Sequence, residues 1–211
     1  LNQASRYLAN LKPFVSLYIL RSNKVRSVDG LTGMSDLCSL TLRGCFLLTN
    51  VNGLSGLKAL EHLDLSECLS LTNVDGLRGL PALQKLDLSD CTRLANIDGL
   101  KELLSLKTLS LRGCSNLMNL EGLAGLPALR TLDLNGCTSL ANVDQLRRLQ
   151  GLEDLDLSGC GSLASLDGLK GLPALQTLSL RDCGNLMNLN GLLGLAALQS
   201  LDVGACTNLT S

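Results

Sequence analysis

Aromatic side chains are nearly missing from this chain. Its 211 residues include no tryptophan, two tyrosines and two phenylalanines. All four (Tyr7, Phe14, Tyr18 and Phe46) stand in the first 46 positions, so a core beyond that point has to be built from leucine and its small relatives. Histidine occurs once, at His62, in a place equivalent to Lys85. A lone surface imidazole with no cysteine paired to it supplies no nucleophile and base. Neither sign of charge prevails: 18 Lys and Arg meet 19 Asp and Glu, a net charge of −1. Total charge therefore predicts no long-range attraction to nucleic acid or an anionic membrane. No apolar run approaches the roughly 20 residues of a membrane-spanning helix. The opening "LNQASRYLANLKPFVSLYIL" lacks the basic start and unbroken apolar middle of a signal peptide.

Cysteine, by contrast, is plentiful and regular. Cys45, Cys68, Cys91, Cys114, Cys137, Cys160, Cys183 and Cys206 each stand 23 residues from the next, and only Cys38 lies outside the column. A fixed period of this size marks a stack of like units, read here as one elongated domain. Aligned on cysteine, the unit is LxxLxLxxCxxLxNVDGLxGLxA. Leu86 and Leu88 alternate with Lys85, Asp87 and Ser89, the pattern of a short strand with one face buried. The cysteine ends the strand. Leu94, Ile97, Leu100 and Leu103 then point inward at spacings of three, which suits a tight coil or 3₁₀ turn. Asp98-Gly99 is a turn dipeptide, repeated at Asp29-Gly30, Asp75-Gly76 and Asp167-Gly168, in amide form at Asn52-Gly53 and Asn190-Gly191, and loosely at Glu121-Gly122 and Asp144-Gln145.

Over residues 8 to 211 these units resemble the leucine-rich repeat family. "LxLxxCxxL" is similar to the cysteine-containing repeats of F-box proteins, and "NVDGLxGLxAL" to the repeats of internalins and of the protein phosphatase 1 regulator class. The resemblance implies an α/β-type repeat solenoid: a right-handed superhelix with one parallel strand per turn, the sheet on the concave face, and 3₁₀, coil or short helical turns on the convex face. The domain division expected is a partial repeat or cap over residues 1–16, carrying Leu8, Leu11 and Phe14, then an array over 17–211 with nine strands and an incomplete last repeat. The strands are expected to centre on Tyr18, Thr41, Asp64, Asp87, Ser110, Asp133, Asp156, Ser179 and Asp202. At about 4.8 Å per strand they would form a surface on the order of 40 Å long.

One thiol per repeat cannot surround a metal ion, and side chains on stacked strands run parallel rather than toward one another, which disfavours disulfides. Each thiol of the column is therefore read as a small buried corner residue that donates weakly to a backbone carbonyl, with Ser22 as its counterpart in the first unit. Cys38 is the one thiol expected near solvent. Reduced cysteines place the chain in a reducing, intracellular compartment, the cytoplasm. Asn50, Asn73, Asn96, Asn119, Asn142 and Asn188, with Ser27 and Ser165 in the same column, are read as structural partners of backbone groups in the adjacent turn.

The outward strand positions carry the pattern that stacking does not explain. Tyr18, Asp64, Asp87, Asp133, Asp156 and Asp202 lie in one column, and Arg43, Arg112 and Arg181 stand two residues on in the strands that lack the aspartate. The arginines recur every 69 residues, three repeats, so acidic pairs should alternate with single basic rungs that partly offset them. These residues are the candidate protein-binding face, its partner a protein segment of basic or mixed charge. Nucleic acid is disfavoured by the aspartates and by the lack of interleaved aromatics. No catalytic residue, metal ligand or cofactor site is expected; the glycines follow the period rather than gathering into a phosphate loop. The leading expectation is a non-enzymatic interaction scaffold. The alternatives are a structural subunit that packs end to end, because one end face resembles the face it would replace, and the substrate-recognition part of a ubiquitin ligase, for which no F-box-like segment is present. The array stops partway through a repeat, so the chain is expected to belong to a longer chain or complex.

Overall fold

The computed structural model describes residues 16–210. The partial repeat read over residues 1–16 falls outside them, apart from Ser16. Among the described residues, nine strands of three residues each form one sheet: β1 (Ser16–Tyr18), β2 (Ser39–Thr41), β3 (His62–Asp64), β4 (Lys85–Asp87), β5 (Thr108–Ser110), β6 (Thr131–Asp133), β7 (Asp154–Asp156), β8 (Thr177–Ser179) and β9 (Ser200–Asp202). They pair in chain order and all in parallel. The register is the 23-residue period itself: Leu63 faces Leu86, Leu86 faces Leu109 and Leu109 faces Leu132.

Stacking in this register turns sequence columns into physical ones. The middle leucine of β2 through β8 and its mate two residues on are buried, and so are the inward aliphatic residues of the coils after β2 to β7; in the coil after β8, Leu189, Leu192, Leu195 and Leu198 are only partly buried. Leu94, Leu100 and Leu103 are wholly buried and Ile97 is 2% exposed, so the spacing of three does lead inward. The coil after each of β1 to β8 carries a 3₁₀ turn, opened by an Asp-Gly or Asn-Gly dipeptide in six of the eight, as at Asp75–Leu77 and Asp98–Leu100, and by Glu121-Gly122 and Asp144-Gln145 in the other two. No helix among the described residues is long and apolar enough to cross a membrane.

The expected strand centres differ from the observed ones by one residue. Asp64 and its column end the regular strands, whose centres are Leu17, Leu40, Leu63 and so on. The inter-strand ladder nevertheless runs on past them: Leu42 N–H donates to the Asp64 carbonyl at 2.7 Å and Gly44 N–H to that of Ser66 at 2.8 Å. The aspartates thus stand where regular pleating gives way to a turn. The form of the second corner depends on whether glycine stands there. Gly79 has a φ of 73°, and Arg78 before it has a ψ of 133°, whereas Lys101, followed by Glu102 instead of glycine, has a ψ of −26°. Without a residue that accepts positive φ, the corner changes from a type II to a type I turn.

Candidate protein-interaction surface

The outward residues of β1 to β9 line the concave face. Over β2 to β5 they enclose an open depression of about 380 Å³, with Thr41, His62, Asp64, Lys85, Asp87 and Ser110 around it. His62 and Lys85 are exposed on one side, and Asp64 and Asp87 are half-buried on the other. Tyr18 stands at the N-terminal end of the same column, 65% exposed.

The aspartates are tied into the turn that ends each strand. Asp64 Oδ1 accepts the Ser66 N–H at 2.9 Å and the Ser66 hydroxyl at 2.6 Å. Asp87 Oδ1 accepts the Ser89 N–H at 2.8 Å, Asp133 that of Asn135 at 2.9 Å, Asp156 that of Ser158 at 2.8 Å and Asp202 that of Gly204 at 2.9 Å. Each is an Asx turn, which holds the carboxylate in one orientation. Small residues follow two positions on because they lie under the carboxylate. In the strands without aspartate that position is free for arginine.

The arginines do not all serve as rungs that offset the next aspartate. Arg43 Nη2 pairs with Glu67 at 2.7 Å rather than with Asp64. The hydrogen bond from Arg43 holds the Glu67 carboxyl below its ordinary value. Glu67 occupies a left-handed corner with φ 59°, in a column that holds glycine at Gly44, Gly113, Gly136 and Gly159 and other residues at Arg21, Asp90, Asp182 and Ala205. Arg181 Nη1 does reach the neighbouring aspartate, Asp202 Oδ2, at 3.1 Å, and Asp202 is held low first by the Gly204 N–H and then by this pair. Arg112 makes no ion pair among the described residues. Asp133 moves the other way: burial pushes its carboxyl up, against the Asn135 N–H that lowers it, and neighbouring Asp156 adds to the rise.

The remaining columns face away from this surface or into the core. Cys45, Cys68, Cys91, Cys114, Cys137, Cys160 and Cys183 are buried and unpaired, while Cys38 and Cys206 are half-buried. Cys38 is therefore not the one thiol short of full burial; Cys206, in the last described repeat, is half-buried as well. Each column thiol donates to the carbonyl of the residue just after the strand one repeat back, Ile19 for Cys45 and a leucine for the others: Cys91 to Leu65 at 3.2 Å, Cys114 to Leu88 at 3.3 Å, Cys137 to Leu111 at 3.3 Å. Burial pushes the Cys68 and Cys137 thiols up to about 12 and Cys183 to about 11. Ser22 behaves differently from its expected role as a donor, since its Oγ accepts the N–H groups of Lys24 and Val25 at 3.2 and 3.3 Å. In the asparagine column Oδ1 accepts the N–H two residues on, at the start of the 3₁₀ turn: Asn96 accepts that of Asp98 at 2.7 Å and Asn188 that of Asn190 at 3.0 Å. Asn50, Asn73, Asn119 and Asn142 repeat this at 3.1 to 3.4 Å. Among the described residues no group of three or more His, Cys, Asp or Glu side chains is placed to hold a metal ion.

A nine-strand parallel sheet in 23-residue register is joined by a sequence match: residues 58–102 and 104–148 fit the family model for leucine-rich repeats in two copies. The chain has the fold of a leucine-rich repeat solenoid. Its structure is similar to that of internalin C2 from Listeria monocytogenes, at 24% identity and a TM-score of 0.59, covering 80% of this chain and 81% of that one. It is also similar to the leucine-rich repeat domain of the type III effector XopL, at 22% identity and a TM-score of 0.76, covering 98% of this chain and 74% of that one. At these identities the likeness is one of fold. Among curated proteins, no sequence matches this solenoid.

Proposed function

We propose that this solenoid is a non-enzymatic protein-interaction scaffold that receives a partner protein on its concave face, in the cytoplasm. The observation that carries the reading is the row of carboxylates at Asp64, Asp87, Asp133 and Asp156. Each has Oδ1 fastened to its own turn and is thereby oriented for a partner without further ordering cost. The leucine-rich repeat family supports a binding rather than a chemical role. The buried, unpaired thiols suit a reducing compartment. Tyr18, Arg43, Arg112, Arg181 and Asp202 extend the face along the stack.

The test has to spare the turns. Charge reversal at these aspartates would remove the Asx hydrogen bonds as well as the charge, so the fold would not be left untouched. Asparagine keeps the acceptor. The triple variant Asp87→Asn, Asp133→Asn, Asp156→Asn is expected to unfold within about 1 kcal/mol of the wild type. Its cross-linking to partner protein in extracts of the native source is expected to fall by about tenfold or more, the loss that removing buried charge pairs brings. Undiminished cross-linking by the folded variant would move the interaction off this face.

A further inference from the structure

The charges of the concave face have a spacing that selects the conformation and sequence of what binds there. Asp64 and Asp87 lie opposite one another on β3 and β4, and Asp133 and Asp156 on β6 and β7. Between the pairs is β5, followed by Arg112. Arg43 and Arg181 are engaged by Glu67 and Asp202, whereas Arg112 makes no ion pair among the described residues. Along the aspartate column and the positions two residues on, the middle of the face therefore presents negative, positive, negative, with Arg112 unspent; Lys85 and His62 stand two residues to the other side of the first acidic pair. No hydrogen-bond partner occupies Oδ2 of Asp64, Asp87 or Asp156 among the described residues; their bonds run to Oδ1.

The midpoints of the two acidic pairs are three strands apart, about 14 Å at the usual inter-strand distance. Arg112 falls halfway, one lane over by about 7 Å along the strand, a gap that two long side chains close. An extended chain laid across the strands advances about 3.4 Å per residue, so about four residues cover the distance. Four is even, and residues i, i+2 and i+4 share one face of an extended chain. An α-helix rises about 1.5 Å per residue, so about 14 Å is nine or ten residues, which returns the second charge to a different side of the helix. The same-face intervals of about seven and eleven residues, near 10.5 and 16.5 Å, both miss the pairs.

Resting on the reading of the concave face given above, we infer that this face recognises an extended polypeptide segment of the form basic-x-acidic-x-basic. Its two basic side chains lie between Asp64 and Asp87 and between Asp133 and Asp156, and its central carboxylate meets Arg112. The segment crosses the strands along the stack.

Synthetic peptides test this directly, with binding followed by fluorescence anisotropy at low ionic strength. Three peptides of equal composition are compared, in a threonine-rich background that favours extension: lysine-x-glutamate-x-lysine, a version with the lysines three residues apart, and a version with the glutamate moved outside them. The first is expected to bind at least about tenfold tighter than the other two, since one well-placed charge contact is worth about that factor. Arg112→Gln is expected to abolish the preference for the central glutamate while leaving the lysine spacing preference in place. Equal binding of all three peptides, still weakened by Asp133→Asn with Asp156→Asn, would overturn the register rule and leave the concave-face reading standing. No binding of any peptide would overturn both.

Discussion

Replacing Leu109 with alanine is expected to remove about 2–5 kcal/mol of folding stability, the usual range for a leucine lost from a packed core. Leu109 is the middle residue of β5, wholly buried, with Leu86 and Leu132 beside it in register. The chain has no tryptophan and no aromatic residue after Phe46, so the space left has only leucines and thiols around it, each already held by its own column. Such a site collapses poorly, which favours the upper part of the range. The control is Thr108→Ala, one residue earlier and facing out of the sheet, where the change should stay within about 0.5 kcal/mol. Urea unfolding of the two variants gives the comparison. Equal effects would mean that the LxL leucines do not seal a dry interior.

Gly122→Ala is expected to destabilise by about 1–3 kcal/mol or more, although it adds a single methyl group. A Cβ built on Gly122 would overlap the carbonyl group of Ile97 in the preceding repeat, and Gly76, Gly99, Gly168 and Gly191 stand against preceding backbone in the same way. A flexible side chain could yield there; a carbonyl held in a stacked turn has to move with its whole coil. The chain contains its own example. Gln145 occupies this column and Arg148 the position of the second corner glycine, and there the 3₁₀ turn runs on over five residues, Asp144–Arg148. Gln145 Oε1 is left buried without a hydrogen-bond partner. Gly122→Ala should therefore lower the unfolding midpoint and Gln145→Gly raise it, in thermal unfolding followed by circular dichroism. A neutral Gly122→Ala would show that adjacent turns are not in backbone contact.

Much of the architecture was legible because stacking repeats every local requirement. The period fixed which residues share a column, and alternation at Leu86 and Leu88 fixed which face is buried. The second role of the aspartates was not legible in the same way. Asp87 reads as a free outward charge until the turn after Leu88 brings the Ser89 N–H back to it; the Asp-x-Ser spacing of an Asx turn was the available signal. The partner of Arg43 escaped for a related reason. Glu67 lies in a corner with φ 59°, in a column that also holds Arg21, Asp90, Asp182 and Ala205 beside four glycines, and that mixture gave no hint that one member would reach across to an arginine. His62 and Lys85 were read as surface, and they are; that they flank the same depression as Asp64 and Asp87 follows only from the register of β3 on β4. Cys206 departs from its column by being half-buried, and it lies in the last described repeat, where Leu189, Leu192, Leu195 and Leu198 are likewise only partly buried.

The rate at which the native protein reacts with a thiol reagent tests the in-register dry stack most directly. Of nine cysteines, Cys38 and Cys206 should be labelled under native conditions, while Cys45, Cys68, Cys91, Cys114, Cys137, Cys160 and Cys183, buried and with Cys68 and Cys137 raised to about 12, should react only after denaturation. Rapid native labelling of several of these seven would mean that the coils do not lie upon one another as described.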